Sequence, residues 1–183
     1  IALPARRFVL QNPSQINKEV LPGGSAVSPA IKVAYYASGR ESVALNLALD
    51  GIRDNSGGRA SVLLLGRYHH LSPPSLRAQA SKYPTLFIRY MTAHASKGLE
   101  ADHVVILHAT AEKMGFPSEI VDDPLLDLVL PEPEHFQHAE ERRLFYVALT
   151  RAKMSVTVLA DREKPSPFVR ELVGDSEYDT VVL

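Results

Sequence analysis

Six residues able to meet a phosphorylated sugar stand within nine positions of "MTAHASKGLEADHVVIL" (Met91 to Leu107): Thr92, His94, Ser96, Lys97, Gly98 and Glu100. Hydroxyl, imidazole and ammonium donors suit phosphate oxygens, and small residues at Ala93, Ala95, Gly98 and Ala101 let a ligand approach the backbone. Glu100 would repel phosphate but can accept hydrogen bonds from sugar hydroxyls. The same composition also describes a polar turn with a capped helical start. A second candidate is Arg151 in "EERRLFYVALTRAK" (Glu140 to Lys153). At about 100° per residue, Leu144, Phe145, Val147, Ala148, Leu149 and Ala152 gather on one arc, and Arg142, Arg143, Tyr146 and Thr150 take the other. Arg151 falls on the apolar arc. A guanidinium there either reaches water along its aliphatic stem or meets an anion, because an unpaired buried charge is very costly.

The elements that must position these residues follow from periodicity. "ALPARRFVL" (Ala2 to Leu10) has helical spacing and is stopped by Asn12-Pro13, and "LPGGSAVSP" (Leu21 to Pro29) reads as loop. Strand-like "IKVAYYA" (Ile31 to Ala37) precedes a helical segment from Glu41 to Asp54; "SVLLLG" (Ser61 to Gly66) is a continuous apolar run of the kind buried on both faces of a parallel sheet. A short helix over Ser75 to Lys82 and strands over Thr85 to Thr92 and Asp102 to Ala109 come next. Pro and acidic residues fill Glu112 to His138, a surface loop with one short helix at Asp122 to Leu128. "MSVTVLA" (Met154 to Ala160) is the last clear strand, and Ser166 and Pro167 cap a closing helix to Val173. Strands alternating with helices predict a three-layer α/β domain around a mostly parallel sheet, with functional loops at the carboxyl ends of the strands. The division is a single domain over 1–183: a lead-in helix and loop to residue 30, an α/β core over 31–173 and a tail over 174–183.

Composition narrows the classes. In 183 residues, 20 Lys and Arg nearly balance 21 Asp and Glu, so contact with a polyanion must come from a local patch. The absence of Cys excludes disulfides, thiol catalysis and Cys-based zinc sites. No apolar run approaches the roughly 20 residues needed to cross a bilayer, which predicts a soluble cytoplasmic protein. His69 and His70 are adjacent, point apart in a strand end and lack further ligands, so they read as a solvated pair and no metal site is predicted. Glu132, Glu134, Glu140 and Glu141 read as a solvated surface around a helix start. Arg142 and Arg143 could bind a strand or pair with Glu140 or Glu141.

"TAHASKGLEADHVVIL" resembles motif V of superfamily 1 helicases of the UvrD/Rep family, and "EERRLFYVALTRAK" resembles their motif VI. Both belong to the family's second RecA-like domain and stand in the family's order, with "GFP" (Gly115 to Pro117) between them where the family carries a Gly-aromatic-Pro turn. The resemblance is strong from Met91 to Leu172 and weak from Ser38 to Thr85. It implies that Arg151 occupies the position whose arginine reaches the γ-phosphate of ATP bound between two RecA-like domains. It implies that Glu100 binds the ribose hydroxyl, that the Lys97-Gly98 step shapes the turn, and that Thr92 and His94 lie near the phosphates of single-stranded DNA, with Ser96 and Lys97 in the same connection. Tyr146 matches a family aromatic of motif VI whose role is either structural or nucleotide-facing.

No G-x-x-x-x-G-K-[ST] sequence is present, nor an acidic motif arranged to hold magnesium. In the family those parts lie upstream, in the first RecA-like domain, with the arginine of motif IV. The resemblance therefore implies the C-terminal part of an ATP-dependent 3′–5′ DNA helicase, inactive by itself, whose partners are single-stranded DNA and the first RecA-like domain of the same chain. The other reading open at this point is a non-enzymatic module that keeps the RecA-like shape to bind nucleic acid or protein.

Overall fold

The computed structural model describes residues 1–17, 29–120 and 136–183. Six strands form one sheet: β1 (Ile31–Tyr36), β2 (Ala60–Gly66), β3 (Leu86–Thr92), β4 (Ala101–Ile106), β5 (Ala152–Asp161) and β6 (Thr180–Val182). Their order is β3-β2-β4-β5-β1-β6, and every pairing is parallel. Parallel strands need crossovers, and helices lie on both faces. The described helices are α1 (Ala2–Leu10), α2 (Glu41–Asn55), α3 (Leu76–Lys82), α4 (Ala139–Leu149) and α5 (Pro167–Gly174). This is the three-layer α/β fold that the alternation of patterns predicts.

Alternation along each strand separates two cores. Val33, Leu63, Leu65, Val104 and Ile106 face α1, α4 and α5, where Phe8, Phe145 and Phe168 are buried. Ala34, Val62, Leu64 and Val105 point the other way, against Leu45 and Leu49 of α2 and against Tyr83. A strand buried on both faces has no polar side to offer, hence the unbroken apolar run of β2. On the first face the rings interlock: Phe8 meets Phe168 edge-on at 5.1 Å, and Phe116 meets Phe145 edge-on at 5.0 Å, each pair contributing about 0.5–1.5 kcal/mol beyond burial. Phe116 belongs to the Gly-Phe-Pro turn, which is thereby pinned on α4. Gly115 has to be glycine because a Cβ there would run into the carbonyl of Thr110.

Three differences from the sequence reading bear on function. Helix α4 ends at Leu149 with Thr150 as its C-cap, so Arg151 is not on the helix and its place on the apolar arc is an extrapolation past the helix end. The turn is closed by Thr150 N donating to Tyr146 O, and Ala152 already pairs with Ala101 in the sheet. Arg142, assigned to the polar arc, is 8 % exposed. Last, the stretch after α5 adds the edge strand β6 beside β1, a three-residue piece too short to show a period. Most of the predicted loop at Leu21 to Pro29, the predicted helix at Asp122 to Leu128, and Glu132 and Glu134 lie outside the described residues.

Candidate functional site

Arg151 stands at the junction of α4 and β5, half-buried, at the amino edge of the sheet. Its Nε donates to Val147 O at 3.0 Å, Nη1 to Leu99 O at 3.1 Å and Nη2 to Thr150 Oγ1 at 3.2 Å. All three partners are uncharged, so the guanidinium is held by dipoles and its charge is not cancelled by them. One acceptor, the Val147 carbonyl, belongs to the last turn of α4, where the helix dipole favours a cation, and another is the hydroxyl of the C-cap residue Thr150. The five-donor fork is only partly used, leaving N–H groups for an anion.

The segment that meets Arg151 is the one singled out for sugar and phosphate chemistry. Ala101 N donates to Arg151 O at 2.9 Å, which fixes Gly98, Leu99 and Glu100 beside the arginine. Gly98 has φ +84°, a left-handed conformation that L side chains rarely adopt. Glu100 is 60 % exposed, with Lys153 Nζ 3.9 Å from its carboxylate. Hence Gly98, Glu100 and Arg151 sit at the amino edge, and the expectation that the functional residues of this connection share the carboxyl edge is corrected. The reason is topological: a parallel crossover must return to the amino edge before the next strand begins, and residues 93–100 cover that distance.

Thr92 and His94 are left behind at the carboxyl edge. Thr92 is 7 % exposed and its hydroxyl accepts from Ala95 N at 3.2 Å, which leaves its hydrogen to donate. His94 and Lys97 are exposed. Ser96, grouped with them in the sequence, is fully buried, and its hydroxyl donates to Ala93 O at 2.6 Å. It closes the turn and has no surface to give a ligand. Beside His94 the structure brings up residues that no pattern marked. Arg67, directly after β2, donates from Nε to Glu141 Oε1 at 2.8 Å, and its Nη1 lies 3.5 Å from His94 Nδ1. Glu141 Oε2 accepts from Ser118 N at 2.9 Å. Arg67 and Glu141 are each 12 % exposed, so Glu141 is an enclosed clamp and not the solvated acid predicted. Glu140, by contrast, is exposed and paired with Arg143 at 2.7 Å.

Arg142, 8 % exposed, pairs with neither of those acids. Its Nη groups grip Glu171 at 3.0 and 2.7 Å, Nη1 also donates to Phe8 O at 2.9 Å, and its Cζ lies 4.4 Å from the Phe8 ring centre. It ties α1, α4 and α5 together, a role legible only from their packing. Tyr146 is half-buried and lines a groove of about 280 Å³ between α1 and α4 with Arg6, Leu10, Arg143 and Val147. His69 and His70 are exposed, with His70 stacked on Tyr68 at 5.5 Å. Among the described residues, no group of three or more His, Asp or Glu is placed to hold a metal ion, and no helix is long and apolar enough to cross a membrane.

Residues 56–163 match the family model of the UvrD-like helicase C-terminal domain. The chain belongs to that family. It is 39 % identical over 168 residues to DNA helicase IV of Escherichia coli strain K12, an alignment covering 92 % of this chain and 24 % of that protein. The chain thus spans about a quarter of the relative's length. The C-terminal domain of a possible DNA helicase from Lactobacillus plantarum WCFS1 shares the fold, with TM-score 0.52 and 14 % identity over 99 % of this chain and 94 % of that one. In this UvrD-like helicase C-terminal domain, the matched stretch includes the 93–100 crossover, the Gly-Phe-Pro turn, α4 and Arg151.

Proposed function

We propose that this chain is the second RecA-like motor domain of an ATP-dependent DNA helicase that moves 3′ to 5′ along single strands. The observation that supports the nucleotide half of this reading is the meeting of Arg151 with the 98–100 segment through the Leu99 carbonyl. A donor for phosphate oxygens and an acceptor for sugar hydroxyls, remote in sequence, share one edge. Bound ATP with its magnesium ion supplies the phosphoryl group whose loss drives the motor, and the magnesium belongs mainly to the facing first RecA-like domain. Arg151 offers its remaining donors to the γ-phosphoryl oxygens, where a positive charge stabilises the charge of the transition state. Glu100 accepts from the ribose, and Gly98 supplies the turn that brings Glu100 there. Thr92 and His94 contact strand phosphates from the other edge and Lys97 from the crossover between the two, without reading bases. Ser96 keeps the turn closed behind them.

In the full-length protein, Arg151→Ala should lower ATP turnover at least about 1,000-fold, the lower end of the range such arginines contribute, while the circular dichroism spectrum stays unchanged. Turnover close to that of the parent protein would sink the assignment.

A further inference from the structure

The contacts of Arg67 close a ring that no sequence motif announces. Arg67 bonds Glu141, Glu141 bonds the Ser118 amide, Ser118 Oγ lies 2.7 Å from Tyr68 Oη, and the Tyr68 ring lies under the Arg67 guanidinium at 4.9 Å. Tyr90 holds Tyr68 from below by donating its hydroxyl to the Tyr68 carbonyl, which requires glycine at position 66 because a Cβ there would run into that hydroxyl. The ring therefore has a fixed base, and the Arg67 Nη1 edge is directed at exposed His94.

Glu141 stands in the first turn of α4, and Arg151 follows the last. The helix spans roughly 16 Å at 1.5 Å per residue and is held along its length by buried Leu144, Phe145, Ala148 and Leu149. At its far end the Val147 carbonyl holds Arg151 Nε. From this we propose that Arg67 and Glu141 form a positioning latch that couples what His94 meets at the carboxyl edge to the placement of Arg151 at the amino edge. The proposal rests on the motor reading above. An anion at His94 competes for the outward Arg67 donor, the enclosed ion pair shifts, and α4 carries the shift as a rod because its buried side chains leave it no room to bend. Neither Arg67 nor Glu141 is assigned contact with reacting atoms.

Coupling between two ligands is reciprocal, so it can be read without turnover. In the full-length protein, the affinity for a non-hydrolysable ATP analogue is measured with and without oligo(dT), in the parent and in Glu141→Gln. The expected result is that the ratio of the two affinities falls at least fivefold toward one in the variant, while analogue affinity without DNA and oligo(dT) affinity without nucleotide each move less than twofold. A merely structural ion pair would lower the unfolding midpoint and leave the ratio intact. An unchanged ratio overturns the latch while the motor reading stands. If Glu141→Gln does not fold, Arg67→Lys keeps the charge opposite Glu141 but cannot fork toward His94, and the same loss of coupling is expected of it; its absence there overturns the latch equally. A parent protein in which oligo(dT) and the analogue ignore each other overturns the motor reading and the latch together.

Discussion

Arg142 and Glu41 show how far a residue's neighbours decide its energetics. Arg142 is enclosed by Phe8, Phe136 and Phe168 with Glu171 as its counter-charge, and Tyr178 donates a further bond to that carboxylate at 2.6 Å. Taking away one partner of such a pair strands the other. Arg142→Ala should cost about 3 kcal/mol in urea unfolding, and a loss below about 1 kcal/mol would show that water reaches Glu171 freely. Glu41, at the start of α2, is pushed by burial from the usual 4.5 up to about 7, and its carboxyl lies 3.2 Å from His108 Nε2. Burial also lowers His108, so the contact is between two groups that both favour their neutral forms. Between about pH 4.5 and 7 the unfolded chain gives up the Glu41 proton while the folded chain keeps it, so rising pH weakens the fold through this group. Glu41→Gln abolishes that slope. Relative to the parent chain it should gain on the order of 3 kcal/mol as pH rises through this window. Because His103 and His108, lowered by burial, tilt the parent the other way below about 6.5, the difference between variant and parent at each pH is the quantity to follow.

At the scale of elements, α4 and the 93–100 crossover are complementary. One returns the chain from the carboxyl edge to the amino edge on the way to β5, the other on the way to β4, and they meet again where Leu99 O accepts from Arg151. Their neighbour α5 is fixed by local chemistry that the sequence states outright: Ser166 Oγ accepts from Val169 N at 3.2 Å, and Pro167 occupies the first helical position. Ser166 is fully buried, so the amide it caps has no water to turn to. Ser166→Ala should cost about 1–2 kcal/mol in thermal or urea unfolding, the upper part of the range of N-cap losses because the site is buried, and the loss should reach the Arg142–Glu171 pair because Glu171 is carried by α5. A neutral outcome would mean that the helix is held by Phe168 and Leu172 alone.

For the whole molecule, 20 basic and 21 acidic residues leave no global field to draw a polyanion, so the strand binding proposed above must depend on few local cations. On the proposed reading Lys97 is one of them. In the full-length protein, Lys97→Gln should weaken oligonucleotide binding about equally for all sequences and reduce the slope of log affinity against log salt by about 0.7, one single-strand phosphate's share. An unchanged slope would remove Lys97 from the strand-binding set.

The sequence by itself determined the described elements other than the edge strand β6, because helix and strand periods, the Ser166-Pro167 start and the Asn12-Pro13 stop are local physics, and it marked Glu100 and Arg151 within two short stretches. It could not place Arg151 on its own side of a helix, since periodicity says nothing about where a helix stops, and it misjudged Glu141, Arg142 and Ser96. Those side chains owe their roles to partners far along the chain: Arg67 for Glu141, Glu171 and Phe8 for Arg142. Only the tertiary structure decided that the 98–100 segment and Arg151 share the amino edge while His94 stays at the opposite one, because strand order and direction, which no local pattern encodes, determine which ends of the crossovers meet.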